Sequence, residues 1–448
     1  DLHKAIRRQR QMCIRDSCLA CRTGLEGKAS AIHRPTGTRM RRDIRTMRIL
    51  NVTAQKPDST GSGVYLAEMV RCEVAAGHSA AVICGTVPDD PLPFPAGVSA
   101  YPVHFETDEV PFPVCGMSDE MPYRATRYRD MDHQMVSCFR AAFAKRIERA
   151  IEEFCPDVVV CHHLYLLTAL VRSMVSDIPV FAICHSTDLR QMRTHCLERD
   201  VIIEGIRSLT GVFALHGEQR GEIIDLYGCE PYNVQVLGTG YNSSVFKASS
   251  PHSQEEGELS LLYVGKIWEK KGVGCLLDAV DQVQVPGKRL SLCLVGGHND
   301  AAEYQRFTQR AAACTAAVEF AGRLETHELV RAYQNADIFV LPSFFEGLPL
   351  VVVEALACGC RVVVSDLPGI RPWLEGHVPD APVVFVRPPR MRTADDPCPE
   401  ELGPFSERIA CAIDEAAHLA PFEGDMHSLT WEGLTARFIS FVRPFCKG

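Results

Sequence analysis

Residues 336–359 read Ala-Asp-Ile-Phe-Val-Leu-Pro-Ser-Phe-Phe-Glu-Gly-Leu-Pro-Leu-Val-Val-Val-Glu-Ala-Leu-Ala-Cys-Gly. Ile338 to Leu341 is a short apolar run, of the length and β-branched content that suit a buried strand. The run breaks at Pro342-Ser343 and turns through Glu346-Gly347. Pro349 is expected at the first helical position, where a missing N–H costs nothing. Leu350 to Cys358 reads as a buried helix, stopped by Gly359. The stretch is therefore strand, loop, helix, with one carboxylate in the loop (Glu346) and a second just over one turn into the helix (Glu354). In an open parallel sheet such a loop lies at the carboxyl end of a strand, where ligands bind. The unpaired N–H groups of the helix N-terminus favour an anion. An anion held by backbone, beside two carboxylates that accept from hydroxyls, describes a site for a sugar nucleotide. A buried strand–helix unit with two solvated glutamates satisfies the same letters.

Working outward, the second half of the chain repeats this α/β rhythm. Leu259 to Val264 reads as a strand, followed by Gly265-Lys-Ile-Trp-Glu-Lys-Lys271-Gly272 and a helix from Val273. Leu290–Val295, Val318–Ala321 and Arg361–Ser365 are further strands, and Thr326–Asn335 a helix. Lys266 and Lys271 bracket a strand-to-helix loop, a placement suited to two cations on a diphosphate; a pair of surface lysines is the plain alternative.

The first half has the same grammar. Met47-Arg-Ile-Leu-Asn-Val-Thr reads as a strand, residues 55–62 as a loop with Gly61 and then Gly63, and Val64–Ala76 as a helix. A strand from Ala80 to Cys84 follows, completing a β–loop–α–β opening. A dinucleotide fingerprint is incomplete here, because Leu66 stands at the third glycine's place. Residues 86–135 read as Pro-rich and irregular, then basic and aromatic, a long surface excursion. Asp130-Met131-Asp132 has a metal-binding spacing but lies in a polar stretch, and reads as solvated surface. Asp157–Cys161 and Val180–Cys184 are strands that each deliver histidine at the carboxyl end: His162-His163, and His185-Ser-Thr187-Asp188.

Composition bounds the class. At 448 residues two domains are expected, and 46% hydrophobic with 23% charged residues is ordinary for a globular protein. No apolar run approaches the roughly 18 residues needed to cross a bilayer. Net charge is −9, yet residues 1–46 carry +8, leaving −17 for the rest. Such an acidic body argues against nucleic acid as a partner. The 20 cysteines are scattered, many in apolar runs, and read as reduced thiols. Cys13, Cys18 and Cys21 show part of a cluster-like spacing without a fourth cysteine nearby. Residues 1–46 read as a leader, disordered or non-native, with Met47 as the natural beginning.

With these motifs in order, residues 47–445 resemble the retaining glycosyltransferases of family 4. The resemblance rests on Gly61 and Gly63, His162 after Asp157-Val-Val-Val, His185-Ser-Thr-Asp188, Gly265-Lys266 with Lys271-Gly272, Pro342-Ser343, and Glu346 with Glu354 eight residues on. It implies an α/β GT-B fold of two facing Rossmann-like domains with parallel sheets and a C-terminal crossover helix. The expected division is an acceptor-side domain over 47–246, a linker over 247–257, a donor-nucleotide domain over 258–424, and a helix over 425–448 packing back on the first domain.

The resemblance also implies roles. Lys266 and Lys271 hold the diphosphate of the sugar nucleotide, and the backbone of Gly61 and Gly63 approaches it from the other domain. Glu346 accepts from sugar hydroxyls, with the amides of Gly347, Leu348 and Leu350 nearby, and Glu354 from the ribose. His162 sits beside the reacting face, so His162, Glu346 and Lys271 form the catalytic set. His185, Thr187 and Asp188 are candidates on the acceptor side. The substrate is a UDP-, GDP- or ADP-sugar, with no obligatory cofactor or metal and an unidentified acceptor. A cytoplasmic protein is expected, with peripheral association at the inner membrane face and oligomeric state open. Lys266 where arginine is commoner, Asn242 for aspartate, and Gly296-Gly297-His298 for Gly-Asp-Gly are departures that bear on which base is bound. A sugar-nucleotide 2-epimerase on the same fold and a non-catalytic sugar-nucleotide-binding subunit are the rival readings.

Overall fold

A computed structural model describes residues 46–57, 59–118, 121–248, 257–393, 396–422 and 424–446. The reading of residues 1–45, including Cys13, Cys18 and Cys21, lies outside the described residues, as does most of the linker.

The first lobe is built on a parallel sheet of seven strands: β1 (Arg48–Val52), β2 (Ser79–Thr86), β3 (Ser99–His104), β6 (Val158–His162), β7 (Val180–Ile183), β8 (Gly211–Ala214) and β9 (Val234–Val236). Two-residue strands β4 (Cys115–Gly116) and β5 (Thr126–Arg127) pair apart from it. The second lobe has a parallel sheet of six: β10 (Glu258–Val264), β11 (Arg289–Val295), β12 (Ala317–Gly322), β13 (Ile338–Leu341), β14 (Arg361–Ser365) and β15 (Val383–Val386). The central strands are mostly apolar because helices cover both faces, with Asn51 in β1 a buried polar exception. Leu50, Val159, Phe339 and Val363, for example, are enclosed almost completely.

Strand order places the site. The first sheet runs 3-2-1-6-7-8-9 and the second 12-11-10-13-14-15. Order reverses between β1 and β6 in one and between β10 and β13 in the other, and ligands bind outside the carboxyl ends at such switch points. The carboxyl ends of these four strands and the segments that follow them carry Gly61, His162, Lys266 with Lys271, and Glu346.

The chain crosses between lobes twice, and the crossings pair with each other. Tyr241 N donates to the Leu429 carbonyl (3.0 Å), and Trp431 N donates to the Tyr241 carbonyl (3.0 Å). The last helix, Trp431–Val442, then packs on the first sheet. Trp431 meets Tyr65 edge-on at 4.8 Å, Phe438 meets Phe213 at 5.6 Å, and Arg71 bonds Glu432 at 2.8 Å.

Three local expectations are corrected. Gly61 and Gly63 are not loop residues: the helix spans Gly61–Ala75, because Thr60 Oγ1 accepts from Gly63 N (3.1 Å) and caps it. Glycine's low helix propensity hid that first turn. Pro349 is extended (φ −73°, ψ 117°) and serves as the cap, so the helix begins at Leu350. The stretch 86–135 holds strand β3, whose Pro102 sits at the sheet edge, where a missing N–H is tolerated. Asp132 caps the helix His133–Phe154 through Met135 N (2.8 Å), while Asp130 pairs with Arg127 on the surface. Among the described residues no cluster of histidine, cysteine and carboxylate side chains could hold a metal, and no helix is long and apolar enough to cross a membrane.

Candidate active site

Between the two switch points lies a cavity of about 530 Å³. From the first lobe it is lined by Gln55, Thr60, Gly61, Ser62, Tyr65, His185, Ser186, Thr187 and Arg190, and from the second by Lys266, Lys270, Lys271, Glu346, Gly347, Leu348 and Leu350, among others.

Three helix N-termini reach it, those of Gly61–Ala75, Thr187–Thr194 and Leu350–Ala357, the last two without a side-chain cap. First-turn N–H groups lack intrahelical partners, and each N-terminus carries partial positive charge. Four cationic side chains, Arg190, Lys266, Lys270 and Lys271, line the same space. Among the described lining residues Glu346 is the one carboxylate, and Lys271 Nζ bonds its Oε1 at 2.6 Å. The cavity thus offers cations and backbone donors to an anion, with a carboxylate beside them for hydroxyls.

Backbone geometry fixes the Lys271–Glu346 relation. Gly272 follows Lys271 at φ 71°, and a Cβ there would lie 2.1 Å from the Pro342 carbonyl oxygen at the exit of β13. Only glycine lets the two loops touch. Across the cleft, a Cβ on Gly347 would come within 2.9 Å of Ser186 Oγ, so the lobes meet at the loop that carries Glu346. Ser186 itself holds φ 71°, ψ −40°, an uncommon conformation for a side-chain-bearing residue. Gln219 Nε2 donates to its Oγ (2.6 Å) and steadies it.

Lys266 Nζ lies 4.2 Å from the Trp268 ring centroid and donates to the amide oxygen of Asn299 (3.1 Å) when that amide is oriented to donate to the His298 carbonyl. Lys270 lies over the same indole. Its place beside Lys271 was visible in the sequence; Arg190, Gln55 and Ser62 as cavity groups were not, since nothing in their spacing marks them.

The histidines are rearranged relative to expectation. His162 does not face the cavity: it is 3% exposed and lies behind His185, whose ring stacks at 5.4 Å and 12°. His162 Nδ1 and His185 Nε2 are 3.2 Å apart. His163 Nε2 meets Gln55 Oε1 (3.0 Å) and Ser62 Oγ (3.1 Å). Burial pushes all three imidazoles down, His185 to about 3, and their mutual proximity lowers His162 and His163 further. All are neutral at ordinary pH. Thr187 lines the cavity, but Asp188 does not reach it. Its oxygens accept from Leu164 N (2.8 Å) and His185 N (3.2 Å), so it braces the strand ends that position histidine.

Glu354 lies one helical turn below the cavity rim, with Tyr333 Oη donating to its Oε2 (3.1 Å). Burial pushes its carboxyl up to about 7, the Tyr333 bond opposes this, and nearby Glu68 adds to the rise. Glu68 in turn accepts from Asn242 Nδ2 (3.1 Å) and Arg71 Nε (2.7 Å). The amide at 242 is therefore a donor to a carboxylate, which an aspartate could not be.

Two family models match this chain: Glycosyltransferase Family 4 over residues 59–245 and Glycosyl transferases group 1 over residues 258–390. The chain belongs to the group 1 glycosyltransferases. It is similar to the glycogen synthase of Mycobacterium tuberculosis, 26% identical over 344 residues, covering 72% of this chain and 79% of the relative. It is also similar to the D-inositol 3-phosphate glycosyltransferase of Frankia alni, 31% identical over 183 residues, 38% of this chain and 45% of that one. Among solved structures, the sucrose-phosphate synthase of Thermosynechococcus elongatus superposes with a TM-score of 0.60 at 16% identity, covering 89% of this chain and 99% of that one. Anabaena HepE in complex with UDP-glucose superposes at 0.58 with 15% identity over 89% and 100%. These likenesses make the two-lobed architecture that of GT-B glycosyltransferases, and this group 1 enzyme has its cleft at the switch points of both lobes.

Proposed function

We propose that this glycosyltransferase moves a sugar, with retention of anomeric configuration, from a nucleoside diphosphate sugar to an acceptor hydroxyl. The observation that carries the reading is the convergence of three helix N-termini and three lysines on a cavity in which Glu346, the one carboxylate among the described lining residues, is paired to Lys271. UDP-glucose is the first substrate to try, because HepE was crystallised with it; GDP- and ADP-sugars are the comparison set.

In this reading Lys266, Lys270 and Lys271 face the diphosphate together with the first-turn amides of Gly61–Ala75 and Leu350–Ala357. As the bond from the anomeric carbon to the phosphate oxygen breaks, negative charge grows on that oxygen, where fixed cations and dipoles are worth most. The bond from the acceptor oxygen forms on the same face, and the acceptor proton passes to the departing diphosphate. Glu346 accepts from hydroxyls of the sugar while Lys271 holds it in place. Glu354 accepts from the ribose.

Retention is supported by the family and by the cavity lining. A 2-epimerase, or an enzyme using a carboxylate base on the acceptor side, needs a further carboxylate in the cleft, and none of the described lining residues supplies one.

The test is a thermal-shift series with UDP-, GDP- and ADP-glucose, followed by mass spectrometry of the nucleotide released. One base class should stabilise the protein and be turned over. Absence of a shift with all three would overturn the reading.

A further inference from the structure

A second cavity, of about 360 Å³, adjoins the first, and the two share Ser186, Arg190, Phe345 and Glu346. A molecule in the second therefore lies next to whatever Glu346 holds in the first. The three lysines line only the first.

Both lobes build this second cavity. The first lobe gives one face of the helix Thr187–Thr194, where Leu189, Arg190, Arg193 and Thr194 fall one turn apart. It also gives the start of the helix Gly217–Tyr227, with His216, Gln219 and Glu222. The second lobe gives the loops after β13 and β14, with Phe344, Phe345, Leu367 and Pro368.

The charges balance. Among the described lining residues two arginines, Arg190 and Arg193, are matched by two carboxylates, Glu222 and Glu346. Arg193 Nη2 donates to Glu222 Oε2 at 3.1 Å, and Glu346 is bonded to Lys271. Burial holds the His216 imidazole below its ordinary value, so it adds no charge near neutral pH. An anionic molecule gains from the arginines and loses against the carboxylates. A plain hydrocarbon strips water from both without replacing its hydrogen bonds, which is costly. Beside these polar groups lies apolar surface from Leu189, Leu367, Pro368 and Phe345, the last 37% exposed. Aromatic and aliphatic walls with a few placed polar groups are the usual make-up of a small-molecule site. A sugar ring matches both halves. Its C–H faces are apolar, and its hydroxyls both donate and accept, as a guanidinium–carboxylate pair requires.

We propose that this second cavity holds the acceptor, and that the acceptor is an uncharged saccharide lying against Phe345 with hydroxyls on the Arg193–Glu222 pair. The inference rests on reading the first cavity as a nucleoside diphosphate sugar site. A hydroxyl oxygen of the bound saccharide forms the new bond to the anomeric carbon as the bond to the diphosphate breaks, and its proton leaves with the diphosphate.

The experiment incubates the full chain with UDP-glucose, or the sugar nucleotide that the thermal-shift series selects, and ranks soluble acceptors by kcat/KM with mass spectrometry of the product. Methyl α-glucoside, methyl α-mannoside, methyl β-galactoside and maltose are the neutral probes. Glucose 6-phosphate and glucuronate are the anionic ones, and octanol the apolar one. A neutral saccharide should rank first. An anionic or apolar probe in first place, or transfer to none of the panel, would overturn the proposal. The thermal shift with the sugar nucleotide is read separately, so loss of that shift counts against the donor reading and a wrong ranking against this one alone.

Glu222→Gln then tests the place. It keeps the size of an exposed side chain and removes one of the two carboxylates. The KM for the best saccharide should rise about fivefold, the scale of one hydrogen bond, and the anionic probes should gain on the neutral ones. The KM for the sugar nucleotide should stay within about twofold. An unchanged acceptor KM, or a nucleotide KM that moves as far as the acceptor's, would contradict the assignment of this cavity to the acceptor.

Discussion

Replacing Lys271 by methionine keeps the length of the side chain and removes its charge. Two effects follow, and they separate by assay. In the free protein Lys271 Nζ bonds Glu346 Oε1 at 2.6 Å, with side chains 25% and 15% exposed. A charge-assisted bond in such a half-buried setting contributes about 1–3 kcal/mol, and its loss leaves a carboxylate partly enclosed. With Lys266 and Lys270 lining the same cavity, the lower end of that range is expected, and denaturant unfolding should read it. In the proposed reaction the lost charge is one that would strengthen its hold as the diphosphate departs. Removing one fixed group of this kind costs about 2.7–4 kcal/mol of barrier, a fall in kcat of about 10²–10³. Turnover of UDP-glucose, or of whichever sugar nucleotide the screen selects, should therefore drop far more than binding. Lys271→Arg should recover part of it. If Lys271→Met kept kcat within threefold, the placing of Lys271 on the leaving group would be wrong, whatever the change in stability.

Three further outcomes are expected. Burial pushes the Glu354 carboxyl up to about 7, so in the ribose-binding role affinity for the nucleotide sugar should rise with pH through 7, and Glu354→Gln should flatten that profile; calorimetric titration at pH 6 and 8 checks it. Gly272→Ala forces a side chain into a left-handed position 2.1 Å from the Pro342 carbonyl, and should cost about 1–3 kcal/mol in urea unfolding while lowering turnover. Glu73, enclosed beside Asn51 Nδ2 (2.8 Å), is pushed up to about 8 by burial. It is protonated in the fold and ionised when unfolded, so unfolding releases a proton, and stability should decline from about pH 4.5 to 8 by about 1.4 kcal/mol per unit; Glu73→Gln should remove that slope.

The strands could be read because most central ones are short apolar runs, such as Val158–Cys161 before His162, Val180–Ile183, and Ile338–Leu341 before Pro342. Ile338–Leu341, Arg361–Ser365 and the helix Thr326–Asn335 fall where periodicity puts them. The two switch points were not legible, because strand order is set by crossover packing and not by any local letter. Lys271 and Glu346 could be named separately, but their contact depends on Gly272 lying against Pro342, a tertiary fact. Gly61 and Gly63 look like loop by propensity alone, and the helix starts there because Thr60 supplies a cap. His162 and His185 both stand at strand ends in the sequence, and only their side-by-side packing puts the His185 ring at the cavity and the His162 ring behind it. Asp188 resembled a cleft carboxylate and is instead spent on backbone N–H groups, a role no motif distinguishes.

The central claim is same-face transfer from a nucleoside diphosphate sugar in this cleft, and it can be tested without knowing the acceptor. Slow hydrolysis of UDP-glucose by the enzyme, followed by proton NMR from the first minutes, reports the configuration of the glucose before it mutarotates. The account predicts that α-glucose appears first, and that the signal disappears in Lys271→Met. Initial release of β-glucose, or release unaffected by that substitution, would contradict it.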